Sequence, residues 1–324
     1  MQNFNHDTTG LEVVQNFSND VAGKIIAITG PSIKSLGAEA AYSLAQSPKA
    51  PSHIILLGRN LEKVQPVIDR ISTLNASVKT TFVKVDLSSI ASVRECASQI
   101  KAFTPKIDIL INSAGIMAVE NYTLSPDGFE LQLAACHIGH FLLTVLLTSE
   151  LLASSAPRVV TLTSTGYEGS AFRFDDYNFS EGKTYHQWLA YAQAKTANML
   201  FTLELAKRVP QITALVVHPG VVLESGILQN TSMEELMKAF EITKAAAEAQ
   251  GEVFVVEAPK TLQQGCSTTL TAALVPELSK QSGAFLRDCQ VVPSEKVKEW
   301  ARDEEAARKL WELSEGWVGE KLAL

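Results

Sequence analysis

Tyr191 and Lys195 stand four residues apart in LAYAQAKTANMLF (189–201), a run of alanines and large apolar residues. On a helix, positions i and i+4 share one face. Asn198 and Thr202 continue that stripe, while Leu189, Ala194, Ala197, Leu200, Phe201 and Leu205 cover the other faces. The expectation is a narrow polar seam on a buried helix. A free phenol has a pKa of about 10 and is a weak acid–base catalyst near neutrality. An ammonium one turn away favours the phenolate and draws that value down. Ser164 closes an apolar, strand-like run, RVVTLTS (158–164). A hydroxyl there polarises a carbonyl while the tyrosine delivers a proton, which suits hydride transfer to a ketone. The same residues also read as a capped strand end and two helix positions with long stems reaching outward.

The elements that must position them follow a simple rhythm. Strand-length apolar runs occur at KIIAIT (24–29), HIILLG (53–58), TTFVKVD (80–86), IDILIN (107–112), RVVTLTS (158–164) and ITALVVH (212–218). Helix-length segments with apolar spacing near 3.6 lie between them, such as NLEKVQPVIDRIST (60–73) and SIASVRECASQIKAF (89–103). Strands apolar on both faces, alternating with helices, indicate an α/β doubly wound parallel sheet, the Rossmann arrangement. Such sheets bind ligands beyond the carboxyl ends of their strands. Past residue 225 the pattern loosens. Two more helices are expected at 232–250 and 260–278, a last strand at 283–292, and an amphipathic helix in the tail. The expected organisation is an N-terminal extension (1–20) and one domain (21–324), with 225–324 as substrate-side and C-terminal elaboration.

Two strand ends suggest a phosphate-bearing ligand. IAITGPSIKSLGAEAA follows the first strand and opens a helix. Glycine there permits a tight turn and close approach of backbone to phosphate, and the helix start offers unpaired N–H groups. Gly30 and Gly37 fit those roles, although two glycines also fit an ordinary strand–helix turn. At the second strand end an acidic residue would bind a ribose 2′-hydroxyl, and an arginine suits a 2′-phosphate. The sequence has Arg59 and no carboxylate, which favours NADP over NAD. Arg59 also reads as a solvated residue opening the next helix. Asp86, at the third strand end, either accepts from an adenine amino group or begins a helix cap before Ser88 and Ser89.

Composition bounds the rest. The 324 residues are 46% hydrophobic and 19% charged, with net charge −7 and no Lys/Arg block, which argues against a nucleic-acid surface. Cys96, Cys136, Cys266 and Cys289 are scattered, with no paired spacing, which suits a reducing compartment. The six histidines are dispersed, so no metal site is expected. The N-terminus has no basic start followed by an apolar run, so no secretory leader is expected. HFLLTVLLTSELLASSA (140–156) is interrupted by Thr144, Thr148, Ser149 and Glu150, and reads as a core helix rather than a membrane span. The expected location is the cytoplasm.

The ordered set TGPSIKSLGAE, LLGRN, VDLSS, INSAGIM, DGFELQLAACHIGHFLLT, RVVTLTS, YAQAK and HPGVV resembles the short-chain dehydrogenase/reductase family. It is most similar to the retinol-dehydrogenase-like branch and its fungal biosynthetic relatives, over residues ~22 to ~320. The resemblance implies Ser164, Tyr191 and Lys195 as the catalytic set, with the lysine also contacting the nicotinamide ribose. It implies Gly30, Ser35, Leu36 and Gly37 at the pyrophosphate, and Asp86 and Leu87 at the adenine. Asn112, Ala114 and Gly115 would lie beside the adenosine half, and Pro219, Gly220 and Val222 along the nicotinamide.

Three positions depart from the family pattern. The glycine loop is one residue longer, and Ser35 stands for its middle glycine; Ser35 or Lys34 could donate to phosphate instead. Cys136 replaces the asparagine that holds a relay water, and cysteine is a weak donor and acceptor. It reads as a buried, apolar-like residue. Leu223-Glu224-Ser225 replaces a threonine that contacts the nicotinamide amide; Glu224 either accepts from that amide or points away. The expected function is NADP(H)-dependent interconversion of a ketone or aldehyde and an alcohol, on a medium-sized lipophilic substrate such as a secondary metabolite. The alternatives are a redox-silent enzyme of cyclisation, isomerisation or dehydration, and a non-catalytic binding protein on the same fold. A homodimer would pair through the helices expected at 127–153 or 187–208.

Overall fold

The computed structural model describes residues 3–229, 231–249, 251, 253 and 255–323; residues 1 and 2 of the expected extension lie outside it. Its centre is an eight-stranded sheet in the order β3-β2-β1-β4-β5-β6-β7-β8. The strands are β1 (Ile25–Thr29), β2 (His53–Gly58), β3 (Lys79–Lys84), β4 (Ile109–Asn112), β5 (Arg158–Leu162), β6 (Thr213–His218), β7 (Phe285–Arg287) and β8 (Gln290–Val291). Pairing is parallel from β3 through β7, and only β7–β8 is antiparallel. Strand order reverses between β1 and β4, which opens a crevice at their carboxyl ends.

Alternation along the strands explains the two covered faces. Ile26, Ile28, Ile54 and Leu56 point into one core, with the Leu36–Ala45, Leu61–Leu74 and Leu262–Leu274 helices. Ala27, Ile55 and Leu57 point into the other, with the Ile90–Phe103, Gly139–Leu146, Gln187–Arg208 and Glu304–Val318 helices. The expected last strand is instead a hairpin. Asp288 and Cys289 both take positive φ (51° and 61°), folding β8 back on β7. Two-residue hairpin loops demand that conformation, and aspartate tolerates it. The apolar run around these two residues hid the turn.

The expected 127–153 helix is broken into short pieces. A π-helical turn covers Ala134–Ile138 and leads into Gly139–Leu146. Gly139 sits where a Cβ would meet the Leu87 carbonyl oxygen at 2.2 Å, so the helix lies directly against the segment that follows β3. The first and last helices pack inward. Thr9 and Glu12 form a capping box for Gly10–Asn16, which buries Val13 and Val14. Asp303 caps the Glu304–Val318 helix, and Gly319 closes it at φ 62°. Trp311 of that helix stacks on Phe201 of the Gln187–Arg208 helix, with centroids 6.0 Å apart. It also meets Phe141 edge-on at 4.9 Å. The C-terminal helix thus covers one flank of the segment that carries Tyr191 and Lys195. Among the described residues, no helix is long and apolar enough to cross a membrane.

Trp311 is 1% exposed and fills the gap among three helices. Trp311→Ala is expected to destabilise the fold by about 3–5 kcal/mol. Urea unfolding checks this as a lower midpoint at an unchanged m-value.

Candidate active site

The crevice is a continuous cavity of about 1270 Å³. It runs from Arg59 at the β2 end, past Ser164, Tyr191 and Lys195, to the inner side of the Met233–Glu248 helix. At its base, β1 and β4 are tied by one buried hydroxyl. Thr29 Oγ1 accepts from the Ser113 and Ala114 amides, each at 2.9 Å. His140 Nε2 lies 2.9 Å from the same oxygen, and its Nδ1 lies 3.0 Å from the Cys136 carbonyl. A carbonyl only accepts, so Nδ1 carries the proton and Nε2 takes the threonine hydrogen. Burial fits this neutral tautomer, because it lowers His140 to about 4. Nothing in the sequence pattern pairs Thr29 with His140, which are 111 positions apart.

The glycine loop divides its labour. Gly30 has φ 70°, and a Cβ there would meet Ala114 Cα at 2.8 Å. Gly37 lies behind the loop, where a Cβ would press on the Thr29 carbonyl at 3.1 Å. Ser35 is the N-cap of the Leu36–Ala45 helix, its hydroxyl accepting from the Ala38 amide at 3.0 Å. That bond turns the extra side chain back toward its own helix. Ser35 and Leu36 both line the cavity. Within the loop Lys34 takes φ 61°, and its carbonyl accepts from the Gly226 amide.

Arg59 lines the far end of the cavity together with Lys63, a second cation on the first turn of the Leu61–Leu74 helix. Lys63 was legible only as a helix residue. Asp86 and Leu87 also line the wall. Asp86 Oδ1 is already engaged, accepting from the Ser88 amide at 3.0 Å and the Ser88 hydroxyl at 2.7 Å. Ala114 and Gly115 face the cavity, but Asn112 does not. Asn112 is buried beneath it and donates to Thr144 at 3.2 Å. Pro219, Gly220 and Val222 form the opposite wall. Gly220 takes φ 86°, and the Lys260 stem would lie 2.6 Å from a Cβ there. Glu224 turns away, its carboxylate capping the Leu262–Leu274 helix through the Leu262 amide at 2.8 Å.

Ser164, Tyr191 and Lys195 converge in the middle of the cavity. Ser164 Oγ accepts from the Gly166 amide at 3.1 Å, and its hydroxyl favours the ionised form of the Tyr191 phenol. Lys195 is 4% exposed; its Nζ lies 5.4 Å from the Tyr191 ring centroid and donates to the Leu162 carbonyl at 3.3 Å. Asn198, the next member of the seam, donates to the same carbonyl at 3.0 Å. The net shift of Tyr191 is opposite to the sequence expectation. Burial raises the phenol above its ordinary value, and Lys195 and Ser164 only partly offset this. Cys136 is fully buried on the π-helical turn and donates to the Ile116 carbonyl at 3.5 Å. Burial raises its thiol, with Lys195 opposing, so it is no thiolate nucleophile.

A helix-packed parallel sheet with its crevice at the strand switch, and a Ser–Tyr–Lys set inside it, agrees with the comparisons. A family model described as short chain dehydrogenase matches residues 24–236. The chain belongs to the short-chain dehydrogenase/reductase family. That makes it one of a family of oxidoreductases that use a nicotinamide cofactor, in the retinol-dehydrogenase-like branch. Retinol dehydrogenase 11 of Homo sapiens is 34% identical over 294 residues, covering 90% of this chain and 85% of that protein. The WW domain-containing oxidoreductase of Homo sapiens is 31% identical over 99% of this chain and 74% of its own. A crystal structure from Mycobacterium paratuberculosis superposes with TM-score 0.68 at 30% identity, covering 94% of this chain and 96% of that one.

Gly166 stands where a Cβ would lie 3.0 Å from Tyr191 Cε1, so the phenol's position depends on that glycine. Gly166→Ala is expected to lower kcat about tenfold to a hundredfold by displacing the ring, with cofactor affinity unchanged; steady-state kinetics and a binding titration separate the two. The imidazole of His140 is expected to stay neutral down to about 4. Its contribution to stability is therefore present above the unfolded histidine value of about 6.5 and lost as pH falls toward 4. An NMR titration that moves the His140 ring signals near pH 6.5 would contradict this.

Proposed function

We propose that the protein reduces a ketone or aldehyde to an alcohol with NADPH, the reverse reaction following from mass action. The observation that carries this reading is the convergence of Ser164, Tyr191 and Lys195 on one cavity that also reaches Arg59 and Lys63. The cavity fits a dinucleotide. Gly30 and Gly220 line the cavity on opposite walls, each packed tightly on its own neighbour, Ala114 and Lys260, and the two cations suit a 2′-phosphate better than a bare ribose hydroxyl. Its volume exceeds the usual range for one small ligand, so cofactor and substrate fit side by side.

A bound reduced nicotinamide supplies the hydride. The protein's own groups manage charge and protons. Ser164 Oγ donates to the substrate oxygen and holds it beside the phenol. Tyr191 then delivers its proton to that oxygen as negative charge develops there. The upward shift of the phenol suits this direction, because the group is protonated at neutral pH. Lys195 stabilises the phenolate left behind. Its ammonium is held in place by the Leu162 carbonyl on the cavity wall, where it would also hold the cofactor's ribose. Leu236, Ala239, Phe240, Ile242 and Ala247 of the Met233–Glu248 helix line the substrate end, which favours a lipophilic molecule of medium size. A secondary metabolite meets that description.

NADPH oxidation with a panel of lipophilic carbonyl compounds tests the reading. Tyr191→Phe is expected to lower kcat by about 10²–10⁴-fold without loss of NADPH binding. Arg59→Asp is expected to reverse the preference for NADPH over NADH. Failure of the wild-type protein to bind NADPH, or turnover of a substrate with no change in nicotinamide absorbance, would overturn it.

A further inference from the structure

The substrate end of the cavity is not apolar throughout. Glu168 lines it, on the 3-10 turn Thr165–Gly169 that directly follows Ser164. Four residues of 3-10 helix at ~2 Å rise place it roughly 8 Å from the serine. His218, Glu257 and Arg287 line the same corner.

These neighbours are already committed to one another. His218 Nδ1 accepts from the Thr165 amide at 3.3 Å, so its Nε2–H points at Glu257, 2.8 Å away. Arg287 bonds with Glu257 and lies 4.0 Å from Asp288. Asp288 in turn holds Lys260 at 2.6 Å. Glu168 is different. It is half-buried, and among the described residues its carboxyl makes no hydrogen bond and no ion pair. Burial raises the carboxyl, and the nearby cations, Lys298 and Arg287 foremost, only partly offset this. Lining the cavity without a protein partner, the carboxyl is open to a ligand's donor, and a bound apolar group that excluded water from it would be penalised.

We infer that Glu168 is a specificity-determining residue that hydrogen-bonds a hydroxyl at the far end of an otherwise apolar carbonyl substrate. This rests on the reductase reading above and narrows its substrate class to hydroxylated lipophilic ketones and aldehydes. The apolar body lies along the Met233–Glu248 helix, its carbonyl at Ser164 and Tyr191, its hydroxyl at Glu168. An analogue lacking that hydroxyl leaves the carboxyl desolvated and unpaired, which is the stronger half of the discrimination.

A matched pair tests it: benzylacetone and its para-hydroxyphenyl analogue, which differ by one hydroxyl remote from the ketone. Affinity is read by tryptophan fluorescence with NADP⁺ present, and kcat/KM by NADPH oxidation. The wild-type protein is expected to prefer the hydroxylated compound by about tenfold to a hundredfold. Glu168→Leu should abolish or invert that preference, and Glu168→Gln, which keeps an acceptor oxygen, should retain part of it. NADPH affinity, set at the opposite end of the cavity, reports that both variants are folded. Equal affinities of the wild-type protein for the pair, or a preference unchanged in Glu168→Leu, would overturn the assignment whatever turnover shows. A preference that depends on Glu168, seen without any NADPH oxidation, would uphold the assignment and overturn the reductase reading instead.

Discussion

An ammonium buried at the end of a parallel strand is the constraint around which this molecule is organised. Removing such a charge from water costs several kcal/mol unless other groups receive it. Lys195 is received by the Leu162 carbonyl, which has no further strand to bond at that edge, and by the face of Tyr191. Thr163 adds a bond from its hydroxyl to the Lys195 carbonyl at 2.9 Å, fixing the helix against the sheet. The strand end, the helix register and the phenol are therefore one unit. Moving any of them strands the charge.

Much of the frame around that unit was legible in the sequence, because strands covered on both faces leave uninterrupted apolar runs. The starts and ends of β1 to β6 fall within a residue or two of those runs. The β7–β8 hairpin was not legible. Its two turn residues need only an unusual φ, and neither asparagine nor glycine advertises it. The break in the 127–153 helix was hidden for a similar reason: a π-helical turn alters hydrogen bonding without altering apolar content.

Within the site, types and spacing identified what lies on one element, and failed where partners come from distant ones. Tyr191, Lys195 and Asn198 share a helix, so their seam could be read directly. Thr29 and His140 meet only through the fold, and Glu168 gains meaning only from the cavity it faces. The sign of the Tyr191 shift was missed on the same account. Charge at i+4 is visible in a sequence, whereas the apolar surroundings that outweigh it are not. Ser35 and Glu224 show a further confusion, since each spends its side chain on a helix start rather than on the ligand its position suggests.

The short helix near the N-terminus packs against a segment made some 250 residues later. Leu11 donates to Gln263, and Gly10 leaves no room for a side chain beside Cys266. During synthesis at about 5–20 residues per second, the valines of that helix wait roughly 12–50 s for this surface to leave the ribosome. Until then one face of the nascent sheet has an open seam, and chaperone contact with the early chain should fall away only once that late helix emerges.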